Sequence, residues 1–501
     1  MDCRSPPIDC AFRRRLRLRF CWRWLVIPFF GMCIWGWVDV RSRGYPYFDN
    51  PLEHKTDLTV YTAAGAAFFD GRAPYAVANP RGWTYLYPPI FAMVMAPLHV
   101  LPSQDQVMVW FVISLLLCWG CIYESGRTLA YLRAKDRHLA ERFTTWYPWL
   151  GIAAVFAATL PTLNCLQRGQ VGILKLYLLM LGLRLVLSGR THWTRLLGGV
   201  VLALPIVLKV VPVLPVSFLV FVQFVAWAKS RWMRKPDGPE AARLFVNSSI
   251  GLVFGLILFF LVIPSMLVGW KANWQHLRTW SSLVLTKMDD GGEDPRSGNS
   301  HSIRNQSLNN AAYCFGNFIW HVAAGGPSDK LVEFFDRPKT IFERPAMIMD
   351  SPMAETVLLR LRLAILAALG IVGILLGVRG DALSLATALG LGCMAMLIVS
   401  PVSRGHYFML VAPAILYLPL WLDRENRTWS AMIMAVVPIV LIDLHYIFLD
   451  YAGRVGLLGL GMTAWLLTAL ILVGRCSRKS ATSLSEDIPP DAVSPVTKQA
   501  A

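Results

Sequence analysis

The chain has 501 residues, 55% hydrophobic and only 16% charged, against roughly 25% charged in soluble domains. Its formal charge of +17 sits on Arg and Lys residues between long apolar runs. There the positive-inside rule and anionic headgroups account for it, which argues against a nucleic-acid partner. The runs are too long for the alternating strands of a membrane barrel, so the expected class is an all-α polytopic membrane protein.

Residues 1–23 are basic, with Arg13, Arg14, Arg15, Arg17, Arg19 and Arg23, and an apolar run follows over about 24–38. No A-x-A-like site closes it, so it reads as a signal anchor with a cytoplasmic N-terminus and the following loop outside. Further apolar segments lie at about 88–101, 106–124, 146–163, 170–187, 195–228, 244–268, 358–378, 381–400, 407–422, 429–449 and 454–474. A span needs about 20 residues. Segment 88–101 is short for one, and 195–228 can form two short helices split near Pro212 and Pro215. The expectation is about 11 to 13 transmembrane helices. Three parts follow: a basic cytoplasmic N-terminus at 1–23, a membrane domain at 24–475, and a disordered cytoplasmic tail at 476–501. Within the membrane domain, 41–87 is a first outer catalytic loop and 269–357 a long outer loop. The basic 126–142 stretch prefers the inside, which conflicts with that topology if 88–101 is a full span.

Just after the first apolar run comes T-D-L-T-V-Y-T-A-A-G-A-A-F-F-D-G-R-A-P-Y, and then Y-L-Y-P-P opens the next segment. Asp57 is a carboxylate at a membrane surface; Asp49, Glu53 and Asp70 are its rivals in the same loop, with Asp70 beside Gly71 reading as a turn residue. Ionisable residues at membrane depth point to function. They occur as Arg168 with Gln170, as Lys209 before Pro212, as Arg404 with His406, and as Asp443 with His445. Each has a structural alternative. Arg168, Arg404 and Lys175 can reach headgroups from helix ends, His406 can cap a helix, and Asp443 and His445 do not share a helix face. Lys209 is harder to dismiss, with apolar residues on both sides.

Other features carry no chemistry. Cys118 and Cys121 flank Trp119 and Gly120 in an apolar run and read as packing. The acidic turn from Asp289 to Pro295 lacks the alternation of a calcium loop. No Cys/His cluster has zinc spacing and no phosphate-loop, HExxH or GxSxG element is present. No metal and no cofactor is expected, and the missing internal repeat counts mildly against a paired-repeat transporter.

In order along the chain come D-L-T-V-Y-x-x-A-G-A-A-F-F-D-G-R-A-P-Y, Y-P-P, G-Q-V at 169–171, K-V-V-P at 209–212, N-Q-S at 305–307 and S-P-V-S-R-G-H-Y at 400–407. Together, over about 57–407, they resemble glycosyltransferase family 87, of the polyprenol-phosphate-mannose-dependent mannosyltransferase type. The resemblance implies a GT-C fold in the plasma (inner) membrane, with a polyprenyl-phosphate sugar donor and a glycolipid or glycan acceptor among membrane lipids. A hexose, mannose at family level, passes to the acceptor on the extracytoplasmic side with inversion. The family's acidic base falls on Asp57 and its histidine on His406. The matching elements offer Tyr61, Tyr75, Tyr87, Arg168, Gln170, Lys209, Asn305, Arg404, His406 and Tyr407 as substrate-binding residues. Two positions depart from the pattern. Gly172 stands where Asn often follows G-Q-V, and Arg404-Gly405 replaces an aromatic before the histidine.

The chemistry is coherent on its own terms. An acceptor hydroxyl is a poor nucleophile at neutral pH, and a positioned carboxylate takes its proton as it attacks. A departing lipid phosphate needs cations or hydrogen-bond donors, and Arg and Lys at the membrane edge supply them. Single-base displacement inverts the anomeric centre; by analogy with glycosidases, a covalent intermediate needs a second nearby carboxylate. A transporter or flippase of lipid-linked sugars would use similar residues but form no glycosidic bond, and a scaffold would tolerate every polar substitution.

Overall fold

The computed structural model describes residues 30–47, 50–79, 84–142, 147–234, 238–283, 304–323 and 352–486. The acidic turn at 289–295, the rival Asp49, the basic N-terminus and most of the 269–357 loop lie outside them.

Helix α1, residues 30–43, has a π-helical stretch at Gly36–Val40. A small antiparallel hairpin follows, β1 (Pro46–Tyr47) and β2 (Asn50–His54). Two short helices come next: α2 (Leu58–Phe69), and α3 (Pro89–Met95) extended by a 3-10 turn to Val100. They cross at Gly65, where a side-chain carbon would fall 2.5 Å from the Ala92 carbonyl oxygen. At 1.5 Å per residue, 89–100 covers only about 18 Å, short of a bilayer core of about 30 Å. Segment 88–101 is therefore not a full span, and α4 (Ser103–Lys135) makes the next crossing. This removes the conflict over the basic 126–142 stretch, because one crossing now separates it from Asp57.

After α5 (Arg137–Arg142) come α6 (Tyr147–Arg168), α7 (Gly172–Ser188), α8 (His192–Leu208) and α9 (Val213–Trp232). The break between α8 and α9 falls at 209–212, where Pro212 and Pro215 suit a first helical turn that has no amide partners to lose. Helix α10 (Gly238–Ile257) continues through a π turn into α11 (Ile263–Val268), and α12 (Trp270–Ser281) follows. Then come α13 (Leu308–Ala323), α14 (Pro352–Arg379), α15 (Ala382–Val399), α16 (Ala412–Arg424), α17 (Thr428–Ile447), α18 (Leu449–Val455) and α19 (Leu457–Glu486). Helix α19 thus runs ten residues past Cys476, into the stretch read as a tail.

Among the described residues nine helices are long and apolar enough to cross a membrane. Helices α7 and α8, each 17 residues, fall just below that length, and residues before 30 are outside the description. The chain is an all-α multi-pass membrane protein. Almost every residue of α15 and of the 405–424 segment is buried, so these form the centre of the bundle. Helix α15 stops at Ser400, the residue before Pro401, where the helical conformation is disfavoured, and Ser400 is extended. The 400–404 turn therefore emerges from the most buried part of the fold. At the periphery α8 and α10 approach through Gly199, Gly251 and Gly255, where a side-chain carbon would meet backbone at 2.0–3.0 Å; small residues let membrane helices close to this distance.

Candidate active site

Asp57 occupies the N-cap position of α2 but makes no capping hydrogen bond. An aspartate there ordinarily accepts from the helix's own amides. Here the carboxylate turns instead toward the loop between α6 and α7. Its backbone N–H donates to the Arg168 carbonyl at 2.9 Å, the Gln170 side-chain amide donates to Oδ2, and Arg168 Nη1 lies 3.9 Å from the same oxygen. Gly169 has φ +64, and a side-chain carbon there would sit 3.0 Å from Leu58 Cβ. Glycine thus allows the left-handed turn that brings Arg168 and Gln170 together onto the start of α2.

The orientation of the Gln170 amide follows from its other neighbour. Tyr87 donates its hydroxyl to Gln170 Oε1 at 3.4 Å, and the Tyr61 and Tyr87 hydroxyls are 3.0 Å apart. With Oε1 accepting, Nε2 is the atom that faces Asp57. The chain Tyr61, Tyr87, Gln170, Asp57 is then directional and ends on Oδ2. Asp57 Oδ1 has no partner among the described residues.

Behind this chain lie the cations. Lys209 Nζ donates to the Tyr407 hydroxyl and sits over the Tyr407 and Tyr87 rings, 4.4 and 5.2 Å from their centroids. Lys175 Nζ is 4.7 Å from the Tyr407 centroid. Arg404, extended at the end of the 400–404 turn, is close enough to Asp57, Arg168 and Tyr407 to interact with each electrostatically. His406 is buried, edge-on to Tyr407 with centroids 4.4 Å apart, and its Nε2 has no hydrogen-bond partner among the described residues. One carboxylate therefore shares the site with four cations: Arg168, Lys209 and Arg404 within its electrostatic reach, and Lys175 against Tyr407.

The N-Q-S element holds the turn in place. Asn305 Oδ1 accepts from the Ser307 and Ser403 amides at 3.2 and 2.8 Å, and its Nδ2 donates to the Pro401 carbonyl at 3.2 Å. Residues 305 and 404 form an isolated antiparallel bridge.

The profile of glycosyltransferase family 87 matches residues 85–401, more than half of the chain. The chain belongs to glycosyltransferase family 87. No functionally curated protein and no solved structure matches it. The matched span takes in Tyr87, Arg168, Gln170, Lys209 and Asn305. It begins after Asp57 and ends before Arg404.

In this family 87 glycosyltransferase, Asp57, Tyr61, Tyr87, Arg168, Gln170, Lys209, Arg404, His406 and Tyr407 come together at one end of the bundle. Two of the sequence-selected residues stand apart. Asn305 directs its side chain to backbone and braces the turn, and Tyr75, buried, donates to the Tyr87 carbonyl at 3.2 Å. One reading is corrected. Lys175 does not reach out to headgroups; it is 2% exposed and forms a wall of the site. It lies in the first turn of α7, directly after G-Q-V, and that adjacency was the available signal. At the Gly172 departure a side-chain carbon would sit 3.0 Å from Met409 Cε and 3.1 Å from Cys165 Sγ, a tight fit against two side chains. Asp70 is exposed and pairs with Arg72 at 2.7 Å, away from the cations.

Proposed function

We propose that the protein moves a hexose, mannose by family likeness, from a polyprenyl-phosphate carrier to an acceptor hydroxyl on the extracytoplasmic face of the membrane. The architecture is of the GT-C type. Asp57 is the general base and the anomeric centre inverts. The supporting observation is one carboxylate, its Oδ1 unpartnered among the described residues, in one cluster with four cations at one end of the bundle.

The acceptor hydroxyl approaches Oδ1. As its oxygen bonds to the anomeric carbon, its proton passes to Oδ1 and the bond to the carrier phosphate oxygen breaks. The departing phosphate gains charge, which Lys209, Lys175 and Arg404 offset, with Arg168 at the edge. The crevice between Lys175, Lys209 and Ser403 is only about 10 Å³, so the phosphate sits on the Asp57 side of the lysines. No second carboxylate shares the cluster among the described residues, which suits a single displacement.

The test is purified protein in lipid with a panel of polyprenyl-phosphate hexoses and membrane lipid extract, read by mass spectrometry. A new glycosidic product on an extract component is the expected result. Lipid-linked sugar that crosses the bilayer unchanged, with no product from any donor, would replace this reading with a flippase.

A further inference from the structure

A second cavity opens at the other end of α7. It has a volume of about 770 Å³ and is walled by Arg127, Lys135, Arg184, Arg190, Arg195 and Glu240. Helix α7 runs from Gly172 beside the reaction site to Ser188 at this cavity, roughly 25 Å at 1.5 Å per residue. The two sites therefore lie at opposite membrane faces.

The charges do not balance. Arg184 is engaged by Glu124, which stands behind the wall, and Arg195 is buried, held by Glu240 and by the Gly189 carbonyl at 3.0 Å. Among the described residues Glu240 is the only carboxylate lining the cavity. Arg127 reaches the Tyr123 hydroxyl, a neutral partner. Arg190 makes no hydrogen bond or ion pair among the described residues, and Lys135 lies near the already engaged Glu240. Three helices, α4, α7 and α8, and the turn that carries Arg190 thus converge to hold five cations around one concave space, to which α10 adds Glu240. Like charges brought together in this way repel, and an anion in the space relieves the repulsion. The volume lies within the usual range for small-ligand pockets, about 300–1,000 Å³, and Arg presents paired N–H groups suited to phosphate oxygens.

We propose that this cavity binds a phosphate-bearing ligand at the membrane face opposite Asp57. The chemistry recognised is a phosphate ester, supplied either by an anionic phospholipid headgroup or by a diffusible phosphate ester. The proposal is independent of the sugar donor and of the reaction assigned above.

The full-length protein is placed in nanodiscs of phosphatidylcholine, of phosphatidylcholine with phosphatidylglycerol, and of phosphatidylcholine with added glycerol phosphate. Retained ligand is read by native mass spectrometry and stability by melting temperature. The Arg127→Gln, Lys135→Gln, Arg190→Gln triple variant changes exposed side chains only. It is expected to lose retention at least about tenfold, the size of one charge-assisted contact, while Arg190→Lys keeps most of it. Retention of phosphatidylglycerol alone identifies a headgroup site, and binding of glycerol phosphate in neutral discs identifies a diffusible ligand. The control is Arg231→Gln with Arg234→Gln, both exposed at the same face outside the cavity. An equal loss in the control would show a diffuse basic surface and overturn the proposal. So would retention of neither ligand by the unaltered protein.

Discussion

Gln170 and Asp57 lie 113 residues apart in the chain, yet the amide of one holds a single oxygen of the other. Tyr87 fixes which end of the amide faces the carboxylate, so Oδ2 is occupied and Oδ1 is left without a partner among the described residues. A general base must present one oxygen to its proton donor in a fixed direction. This hydrogen-bond chain supplies that direction at the place where a helix cap would otherwise have claimed the carboxylate.

If Asp57 is the base, as proposed, Gln170 is its positioning residue, and its loss should separate rate from binding. Gln170→Ala removes the hydrogen bond to Oδ2 and frees the carboxylate to rotate toward the amides of α2. A charge-assisted hydrogen bond contributes about 1.5–3 kcal/mol, so kcat should fall roughly 10–100-fold with KM for donor little changed. Steady-state transfer from the lipid phosphate measures both. A rise in donor KM at unchanged kcat would assign Gln170 to donor binding instead.

The lysines should behave in the opposite way. Lys175→Ala and Lys209→Ala each remove a cation that flanks Tyr407, and donor affinity should weaken by tens-fold at about 1.5–3 kcal/mol per contact. Lys209→Arg should retain more than Lys209→Ala because charge survives even where geometry changes. Donor binding to purified variants, with circular dichroism to confirm folding, is the measurement. Normal affinity in the Lys175 variant would return that residue to packing.

The difference between Lys175 and Lys209 shows what one dimension can carry. Lys209 stood out because a cation with apolar sequence on both sides has no route to water. Lys175 did not, because distance to a helix end is legible while the face of the helix is not. Proline placement foretold the break at 212, which follows from local backbone sterics. The motif elements named nearly all of the site. The Tyr61–Tyr87–Gln170 chain and the basic cavity were out of reach, because each is assembled from elements far apart in sequence whose contacts only packing decides.

Sidedness follows from the shortness of α2 and α3. Neither crosses, so Asp57 and the start of α4 share one face and the basic end of α4 the other. By the positive-inside rule we propose that Asp57 is extracytoplasmic. In a cysteine-free background, Asp70→Cys should label from outside and Arg190→Cys only from the cytoplasm; both positions are exposed. The reverse pattern would move the reaction to the cytoplasmic face.

His54 ties the hairpin to pH. It is 2% exposed, its Nδ1 lies 2.9 Å from Thr56 Oγ1, and burial lowers its pKa from 6.5 to about 4. Between those values the unfolded chain binds a proton that the folded chain does not, so stability falls as pH drops from 6.5 toward 4 and is full above 6.5. The whole window is worth roughly 3 kcal/mol at 1.36 kcal/mol per unit. Melting temperature in detergent should be lower at pH 5 than at pH 7, with a smaller drop in His54→Gln. An equal drop in the variant would place the acid sensitivity elsewhere.

The decisive variant is Asp57→Asn. Asparagine keeps the size of the side chain and can present its carbonyl oxygen to Gln170, so the turn at 168–170 should persist, but it cannot take the acceptor's proton. Removing a general base costs about 10²–10⁴ in rate, and kcat should fall by that factor. Donor binding should hold or tighten slightly, because the cations lose a competing carboxylate while their contacts to phosphate remain. Asp70→Asn is the matched control. Its carboxylate is exposed and pairs with Arg72, a surface contact of at most about 1 kcal/mol, so transfer should change less than about fivefold. Single-turnover transfer at saturating donor isolates the chemical step from product release. Near-normal transfer by Asp57→Asn, with a large loss in Asp70→Asn, would shift the base to the far end of α2 and leave the four cations serving a different reaction geometry.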